Sequence, residues 1–368
     1  MRKVTFVIGS MEVGGAERVM SILANHLAEK GWPITLLTFS SGPSSFDLHP
    51  SIKFCPLDIL ERSPLAIQRF LDNFKRLLAL RRAIRQSHPQ VVVSFTEEMN
   101  IQTIVSTIGL GLPVIVSERS EPSKYLHGSI WDKMRPWTYP LADKVVSVTE
   151  SADQYFEWLP KDKRRIIANP IISRNSHADE WELPKGVNPQ KKWLVAMGRL
   201  DYGKGYDLLL SAFQKIASGY DDWQLIILGE GELRAELETL RDNLNLESQV
   251  VLPGLLKNPF PLLKKSGLFV LSSRYEGFVN SLAEAMACGL PVLSFNCPGG
   301  PREIIRHEID GILVPAEDVD ALAAGLDRLM GNEGERMRLA AKAPDVIQRF
   351  SKEKILGMWE DLIIETTR

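Results

Sequence analysis

Two glutamates eight residues apart, Glu276 and Glu284, lie in the stretch YEGFVNSLAEAMACG at positions 275–289. Glu276 follows an apolar, strand-like run, and Glu284 lies just inside an alanine-rich helical pattern. A carboxylate is rarely buried without a partner, so the pair predicts a polar site around the helix start. The N–H groups of a helix start favour an anion, and the carboxylates would accept hydrogen bonds from hydroxyls. A sugar nucleotide needs both kinds of group.

A second interpretation explains Glu284 alone. Ser281 and Glu284 have the spacing of a capping box, in which the serine caps the helix and the glutamate reaches back to it. This interpretation gives no role to Glu276, which lies in a turn ahead of the helix.

Two cations lie close together at the start of the second half, in MGRLDYGKGYDLLLSAF at positions 197–213. Arg199 and Lys204 fall between a predicted strand and a predicted helix, and two cations on such a loop suit a diphosphate. The alternative is that both are solvated surface charges, as most Lys and Arg are. Gly203 and Gly205 flank the lysine and allow a sharp turn.

Two further glycine turns join predicted strands to helices. The first, GGAER at positions 14–18, would let a ligand approach the backbone closely at a helix start that favours anions. It is equally well a tight turn in which Glu17 is stabilised by the helix dipole. GEGEL at positions 229–233 is a weaker signal of the same kind.

Short apolar runs alternate with helical patterns along the chain, which predicts two doubly wound parallel sheets. The polar, proline-containing stretch around 169–192 separates the two series. We therefore predict an α/β protein of two Rossmann-like domains facing a cleft. The predicted parts are an N-terminal domain (1–168), a linker (169–192), a C-terminal domain (193–345) and a terminal segment (346–368) whose amphipathic helix packs back on the domains.

Composition narrows the class of protein. The 368 residues are 44% hydrophobic and 24% charged with a net charge of −2, which is typical of a soluble globular chain and leads us to expect no nucleic-acid partner. Three cysteines predict neither a disulfide framework nor a metal cluster, and favour a reducing compartment. The N-terminus is not typical of a signal peptide, and no run of 18 apolar residues occurs.

In their order and spacing these motifs resemble the retaining, family-4 type of glycosyltransferase with the GT-B fold. The resemblance covers nearly the whole chain: GGAER at 14–18, GRL…KG at 198–205, EGFVNSLAEAMACGLPV at 276–292 as the E-x7-E motif, and PGGPREII…DGILVP at 298–315. It implies transfer of a hexose or N-acetylhexosamine from a UDP-sugar, without a metal ion or other cofactor.

The resemblance also implies roles for individual residues. Arg199 and Lys204 would bind the donor diphosphate and stabilise the leaving group, Glu276 would contact the donor sugar near the reacting carbon, and Glu284 would hold the ribose hydroxyls. The remaining donor-binding positions implied by the motifs are Gly14, Gly15, Gly198, Gly229, Gly277, Phe278, Val279, Asn280 and Ser281.

The chain departs from the family pattern at PVIVSERSEPSK, where many members carry a histidine after the strand. Glu118 and Arg119 stand there instead. We consider Glu118 as a group that binds or activates the acceptor hydroxyl, and a strand-end salt bridge with Arg119 as the alternative.

A basic segment, PLAIQRFLDNFKRLLALRRAIRQ at positions 64–86, has apolar residues at helical spacing. Such a helix can lie on an anionic membrane surface, or it can pack on the core with a solvated basic face. Because the GGAER-bearing subgroup commonly acts on lipid-linked acceptors, the resemblance favours a cytoplasmic enzyme at the inner face of the membrane. Its acceptor would be a polyprenyl-diphosphate-linked glycan or a growing polysaccharide.

Other classes of protein remain alternatives at this point. A nucleotide-sugar epimerase would share the fold but need no acceptor, and a transferase with a soluble acceptor would share the donor site. A binding protein without activity would keep the donor site and tolerate loss of charge at Glu276 or Lys204. A nicotinamide-dependent dehydrogenase is disfavoured, because GSMEVGGAER lacks the G-x-G-x-x-G spacing.

Overall fold

The computed structural model describes residues 1–12, 14–59, 66–123, 130–171 and 181–368, with the backbone alone at 66–71 and 130. The chain divides into two compact units. The N-terminal unit comprises Met1–Pro170 and Lys352–Arg368, and the C-terminal unit comprises Ile171–Ser351.

The N-terminal unit is built on a parallel sheet of the order β3-β2-β1-β4-β5-β6-β7. Its central strands are apolar on both faces, because helices cover both sides of a doubly wound sheet. The strands are β1 (Val4–Ile8), β2 (Ile34–Thr38), β3 (Lys53–Pro56), β4 (Val91–Phe95), β5 (Val114–Ser117), β6 (Lys144–Ser147) and β7 (Arg164–Ile166). The helices are α1 (Gly15–Glu29), α2 (Ala66–Ser87), α3 (Glu97–Thr107), α4 (Ile130–Thr138) and α5 (Glu150–Gln154).

The C-terminal unit repeats this plan with a parallel sheet of the order β10-β9-β8-β11-β12-β13. Its strands are β8 (Lys192–Met197), β9 (Trp223–Leu228), β10 (Val250–Gly254), β11 (Leu268–Leu271), β12 (Val292–Phe295) and β13 (Ile312–Val314). The helices are α6 (Tyr206–Gln214), α7 (Arg234–Asn243), α8 (Phe260–Lys265), α9 (Asn280–Ala287), α10 (Pro301–Ile304), α11 (Val319–Gly331), α12 (Glu333–Ala340) and α13 (Asp345–Arg349).

The last helix, α14 (Lys352–Thr366), belongs to the N-terminal unit although it follows the C-terminal one in sequence. Its apolar stripe is buried in the core of the N-terminal unit, where the ring of Trp359 lies 5.5 Å from that of Phe95. The terminal helix therefore packs back as the sequence predicts, and it does so on the first domain.

The strands β3 and β7 lie at the two edges of the N-terminal sheet and are not among the short apolar runs from which the sequence predicts the sheet. Their residues are only partly buried, so they lack the apolar run by which the central strands are recognised. The predicted linker also differs in part from the structure. Its last residues are held on the C-terminal unit, where Gln224 accepts a hydrogen bond from the backbone N–H of Asn188 and donates one to the carbonyl of Gly186.

Within the described ranges, no helix is both long enough and apolar enough to cross a membrane.

Candidate active site

The order of strands in the C-terminal sheet defines where a ligand would bind. The chain runs from β8 outward to β9 on one side, and from β11 outward to β12 on the other. Doubly wound sheets bind ligands outside the carboxyl ends of the strands at such a switch point. The loop that carries Lys204 follows β8 and the loop that carries Glu276 follows β11, so both lie at this position.

Lys204 and Glu276 form an ion pair at the switch point. The Lys204 Nζ lies 2.6 Å from Oε1 of Glu276, and the hydroxyl of Ser273 donates to the same oxygen at 2.6 Å. The lysine side chain is 22% exposed and the glutamate 11%, so the pair is shielded yet open to a ligand. The structure thus brings together two residues that are 72 positions apart in sequence.

Backbone contacts fix the lysine loop against the glutamate loop. The carbonyl of Lys204 accepts a hydrogen bond from the Ser272 hydroxyl at 2.9 Å, and the carbonyl of Gly203 accepts one from the N–H of Arg274 at 2.8 Å. Gly205 has a φ of +61°, and a Cβ there would collide with the carbonyl oxygen of Ser272. Glycine is therefore required at this position for two independent reasons.

Arg274 stabilises the outer side of the loop that carries Lys204. Its guanidinium makes two hydrogen bonds with the carboxylate of Asp207, at 2.9 and 2.6 Å, and a third with the carbonyl of Tyr202 at 2.8 Å. It also lies over the Tyr202 ring, 4.0 Å from the centroid. These contacts hold the short 3₁₀ turn Tyr202–Lys204 in place.

The loop CPGGP at positions 297–301 packs directly on the glutamate loop. The N–H of Glu276 donates to the carbonyl of Pro298 at 3.1 Å, and the N–H of Gly300 donates to the carbonyl of Gly277 at 3.0 Å. Gly299 has a φ of +104°, and a Cβ there would overlap the carbonyl oxygen of Glu276. The two glycines thus allow the backbones to approach closely enough to position Glu276.

Gly198 and Gly229 make a similar close approach at the ends of β8 and β9. A Cβ on Gly229 would overlap the carbonyl oxygen of Gly198, and a Cβ on Gly198 would lie 3.1 Å from Cε of Lys204. The glycines therefore leave room for the lysine side chain, and whether they also contact a donor stays a prediction.

The helix α9 begins at Asn280, directly after the glutamate loop. Its N-cap is Val279, which has an extended backbone and no side chain that caps the helix, so the capping-box interpretation of Ser281 is wrong. Ser281 is the second residue inside the helix. The first N–H groups of a helix point away from its body, so the start of α9 has the orientation expected of an anion site.

The other residues of this motif have less direct placements. Glu284 lies on α9 and is 7% exposed. The ring of Phe278 is buried edge-on against Phe350, with centroids 5.0 Å apart. Arg199 is exposed, and its side chain makes no hydrogen bond or ion pair within the described part of the chain, so the structure does not join it to the Lys204–Glu276 pair.

The N-terminal unit has an equivalent switch point between β1 and β4. Gly14 is the N-cap of α1, and Gly15 is the first helical residue. A Cβ on Gly14 would overlap the carboxylate of Glu17, which lies in the first turn of α1. The GGAER motif therefore forms the N-cap and first turn of α1, with its acidic residue at the positive end of the helix, and its contact with a donor stays a prediction.

Glu118 does not have either of the roles considered for it in the sequence. Its side chain is completely buried, it accepts a hydrogen bond from the Tyr139 hydroxyl, and Nε of Arg135 lies 3.8 Å away. An acceptor hydroxyl has no access to this carboxylate, and its ionic partner is Arg135, not Arg119. The sequence at Ser117–Arg119 gave no signal of this partner, because Arg135 lies on the following helix, α4.

Arg135 is shared by three carboxylates. Its Nη2 lies 2.6 Å from Glu97 and its Nη1 lies 3.1 Å from Asp132, in addition to the contact with Glu118. One guanidinium cannot neutralise three carboxylates, so burial is not fully compensated. Burial raises the pKa of Glu97 to about 7, and it also raises the pKa of Glu118. We refer to Arg135, Glu97, Glu118 and Tyr139 as the buried cluster.

Sequence reasoning missed Ser273, Arg274 and Asp207, which position the lysine and glutamate loops. No short motif marks them, since Arg274 and Asp207 are far apart in sequence and meet only in the fold. The described residues contain no group of three or more His, Cys, Asp or Glu side chains that could bind a metal ion.

Two doubly wound parallel sheets, each with polar loops at its switch point and with the last helix returned to the first unit, define the GT-B class of glycosyltransferase folds. The chain belongs to this class by sequence as well: a model of "Glycosyltransferase Family 4" matches residues 13–173, and a model of "Glycosyl transferases group 1" matches residues 178–346.

Individual proteins support the assignment. The chain is 30% identical to a Campylobacter jejuni enzyme over 99% of both chains; that enzyme is named GalNAc-alpha-(1->4)-GalNAc-alpha-(1->3)-diNAcBac-PP-undecaprenol alpha-1,4-N-acetyl-D-galactosaminyltransferase. Sucrose-phosphate synthase from Thermosynechococcus elongatus has the same fold, with a TM-score of 0.83 at 19% identity over 99% of both chains. Anabaena HepE, solved in complex with UDP and glucose, gives a TM-score of 0.78 at 17% identity over 99% of both chains.

Proposed function

We propose that this glycosyltransferase moves a hexose or N-acetylhexosamine, with retention of anomeric configuration, from a UDP-sugar to a polyprenyl-diphosphate-linked glycan or a growing polysaccharide. The observation that carries the proposal is the partly exposed Lys204–Glu276 pair at the switch point of the C-terminal sheet. The C. jejuni relative named for a PP-undecaprenol substrate supports the proposed acceptor, and HepE solved with UDP supports the proposed nucleotide.

The chemistry requires stabilisation of a leaving diphosphate. The bond between the anomeric carbon and the diphosphate oxygen breaks, the bond to the acceptor oxygen forms, and the acceptor proton passes to the leaving diphosphate. Lys204 and the N–H groups at the start of α9 would stabilise the charge that develops on the leaving group. These groups are fixed before the donor binds, because Ser272, Ser273 and Arg274 hold the loops that carry them.

Glu276 would stabilise positive charge on the sugar. An oxocarbenium-like centre gains from a nearby carboxylate, and the hydrogen bond from Ser273 keeps this carboxylate oriented when Lys204 turns to the diphosphate. We assign Glu276 an orienting and electrostatic role, with displacement on the front face of the sugar and no covalent intermediate. No metal ion takes part in this proposal.

The test is a donor screen, with release of UDP measured for each UDP-sugar in the presence of lipid-linked and polysaccharide acceptors. Glu276→Gln should keep the fold and lower turnover by a factor on the order of 10²–10³, and NMR of the product should show the donor's anomeric configuration. Activity that survives in Glu276→Gln would remove the role of Glu276. Absence of UDP release with every donor and acceptor would overturn the transferase reaction itself.

We further propose that α2 contacts an anionic membrane surface. Residues 64–65 of the predicted basic segment and the side chain of Arg69 lie outside the described residues. Of the other basic side chains, Arg76 is buried, and Arg81 donates to the carbonyls of Ser106 and Ile108 at the end of α3. The exposed stripe is Phe74, Lys75, Leu78, Arg82 and Arg85.

The membrane contact is best tested with the basic residues of this stripe and with Arg81 left in place. Replacing Arg81 would free two carbonyls of α3, so its loss would report stability as well as binding. The triple variant Lys75→Gln, Arg82→Gln and Arg85→Gln should lower sedimentation with anionic vesicles by roughly two orders of magnitude, since each basic residue contributes about 1 kcal/mol. A control with the exposed lysines Lys53, Lys161 and Lys185 changed to Gln carries the same charge change. Equal binding by both variants would contradict the contact.

A further inference from the structure

We propose that Arg119 is a diphosphate-binding residue of the N-terminal unit, at the carboxyl ends of β1, β4 and β5. The proposal rests on the proposed function, because the diphosphate would come from the sugar-nucleotide donor or from the lipid-linked acceptor. It concerns a side chain that the sequence analysis considered only as a salt-bridge partner of Glu118.

The topology places Arg119 at the expected ligand edge. It lies two residues beyond the end of β5, and its guanidinium is stacked over the ring of Phe95, 4.0 Å from the centroid. Phe95 is the last residue of β4, which borders the switch point of this sheet. The stacking fixes the plane of the guanidinium there, which lowers the entropy lost when it binds a planar or tetrahedral anion.

The guanidinium has unused hydrogen-bonding capacity. Nη1 donates to the Ser117 hydroxyl at 3.3 Å, while Nε and Nη2 are buried and have no acceptor among the described residues. Unlike the completely buried Glu118, Arg119 as a whole is partly exposed, so a ligand can reach this side chain. Buried donors without partners are costly and call for an explanation. Burial also lowers the pKa of Arg119 to about 9, so the group stays charged at neutral pH but lacks a full counter-charge.

The two arginines of this region differ in this respect. Arg135 is engaged by Glu97, Glu118 and Asp132, whereas Glu17 is the one carboxylate of the described residues that interacts electrostatically with Arg119. Glu17 lies in the first turn of α1, at the positive end of that 15-residue helix. Arg119 and the start of α1 therefore form one electropositive edge, partly balanced by a single carboxylate.

Backbone strain supports a ligand site at the same edge. Thr96 follows β4 with a φ of +77° and a ψ of 145°, which is an outlier for a β-branched residue. Its N–H donates to the carbonyl of Ser117, the residue whose hydroxyl also accepts from Arg119. Strained residues of this kind concentrate at ligand-binding sites. Ser117 therefore holds both the strained Thr96, through its carbonyl, and the guanidinium of Arg119, through its hydroxyl.

A diphosphate is the anion that fits these groups best. The forked guanidinium binds phosphate oxygens with two parallel hydrogen bonds, and the UDP-sugar donor and the lipid-linked acceptor of the proposed reaction each carry a diphosphate. A lone carboxylate offers only two oxygens and a single negative charge to the guanidinium, fewer of both than a diphosphate.

The experiment compares Arg119→Gln and Arg119→Lys with the wild-type enzyme, with Arg165→Gln as a control in the same unit. Arg165 is partly exposed and pairs with Glu365 on the surface. Three measurements separate the sources of diphosphate. These are the KM for the UDP-sugar, the KM for one glycan presented on a lipid diphosphate or on a neutral alkyl chain, and the calorimetric affinity for UDP and for inorganic diphosphate.

Loss of the two hydrogen bonds should weaken the affected binding constant about 10- to 100-fold, with a smaller loss in Arg119→Lys. If the acceptor supplies the diphosphate, only the KM for the lipid-diphosphate acceptor rises and the neutral acceptor is unaffected. If the donor supplies it, the affinity for UDP and the KM for the UDP-sugar change with both acceptors.

Binding constants within twofold of wild type in both Arg119 variants would overturn the proposal, and if Arg119→Gln does not fold, Arg119→Lys decides. Should the wild-type enzyme transfer no sugar, the proposed function fails by itself. The affinities for UDP and inorganic diphosphate still test Arg119 in that case: a loss in the variants supports it, and unchanged affinities overturn it.

Discussion

Charged residues follow the carboxyl ends of strands in both sheets, but their exposure to solvent differs between the two units. In the C-terminal unit Lys204 and Glu276 form one pair that is partly open to solvent. In the N-terminal unit Glu97, Glu118 and Arg135 are closed off from solvent. The same fold plan thus holds an accessible pair in one unit and a buried cluster in the other.

The difference indicates a division of roles. In a partly exposed pair, either residue can exchange its partner for a ligand at low cost, because water still solvates both groups in part. A buried charge has no such exchange available, and removal of one partner leaves an uncompensated charge in a medium of low dielectric constant. We therefore expect changes at the pair to affect turnover, and changes in the buried cluster to affect stability first.

The largest effect is expected from Arg135→Met, which keeps the aliphatic stem and removes the charge of the buried cluster. It should destabilise the N-terminal unit by about 3–5 kcal/mol, because the carboxylates of Glu97 and Glu118 would lose their shared counter-charge. Hydrogen exchange of the amides in β4 and β5 measures this unit separately from the other one.

Arg164→Met is the matched control for Arg135→Met. Arg164 pairs with a single carboxylate, Asp153, at 2.7 Å, and both side chains are partly exposed. Its loss should cost no more than about 1 kcal/mol. Equal destabilisation by the two variants would show that burial does not distinguish the cluster from an ordinary surface pair.

The next effect is expected from Lys204→Met at the accessible pair. Turnover should fall by roughly 10²–10³, the factor found when one fixed donor to a developing negative charge is lost. The stability of the C-terminal unit should change by less than about 1 kcal/mol, because Glu276 keeps its bond from Ser273 and its contact with solvent. Initial rates of UDP release and thermal unfolding measure the two quantities.

Lys215→Met serves as the control, since Lys215 lies in the same unit and pairs with Asp320 on the surface. It should leave the rate within about twofold of the wild-type value and the free energy of unfolding within about 0.5 kcal/mol of it. A Lys204 variant with lowered stability and unchanged turnover would contradict the proposed division of roles between the two units.

The sequence predicted most of the fold, because buried parallel strands leave strong apolar runs and glycine turns mark the ends of helices. Both sheets and the terminal helix were predicted in this way. The edge strands β3 and β7 were not, since their exposed residues carry no such signal. The capping box at Ser281 failed because sequence spacing fixes a helix start only to within a residue or two.

The candidate site was predictable where its residues lie in short motifs, as Lys204 and Glu276 do. Contacts between distant segments were not predictable: Arg274 with Asp207, and Arg135 with Glu118, are joined only by the order of the strands. Glu118 is the clearest case, because a glutamate after a strand resembles a ligand group in sequence. Its burial follows from Tyr139 and Arg135, which are contributed by segments that follow β5.

A smaller effect concerns the pH dependence of stability in the buried cluster. The pKa of Glu97 is raised to about 7 in the folded state, above its usual value of 4.5. The folded state therefore binds this proton more tightly than the unfolded state, and the N-terminal unit should lose roughly 1–3 kcal/mol as the pH rises from 5 to 8. The loss begins near the unfolded pKa and is complete above the folded one.

Glu97→Gln should make this dependence less steep without abolishing it, because the raised pKa of Glu118 acts in the same direction. Glu157→Gln, at an exposed position of the same unit, should leave the slope unchanged. Hydrogen exchange of β4 and β5 amides between pH 5 and 8, corrected for the intrinsic exchange rate, measures the slope. Parallel profiles for wild type and Glu97→Gln would mean that Arg135 keeps Glu97 ionised throughout, and that the buried cluster is electrostatically closer to the accessible pair than its burial indicates.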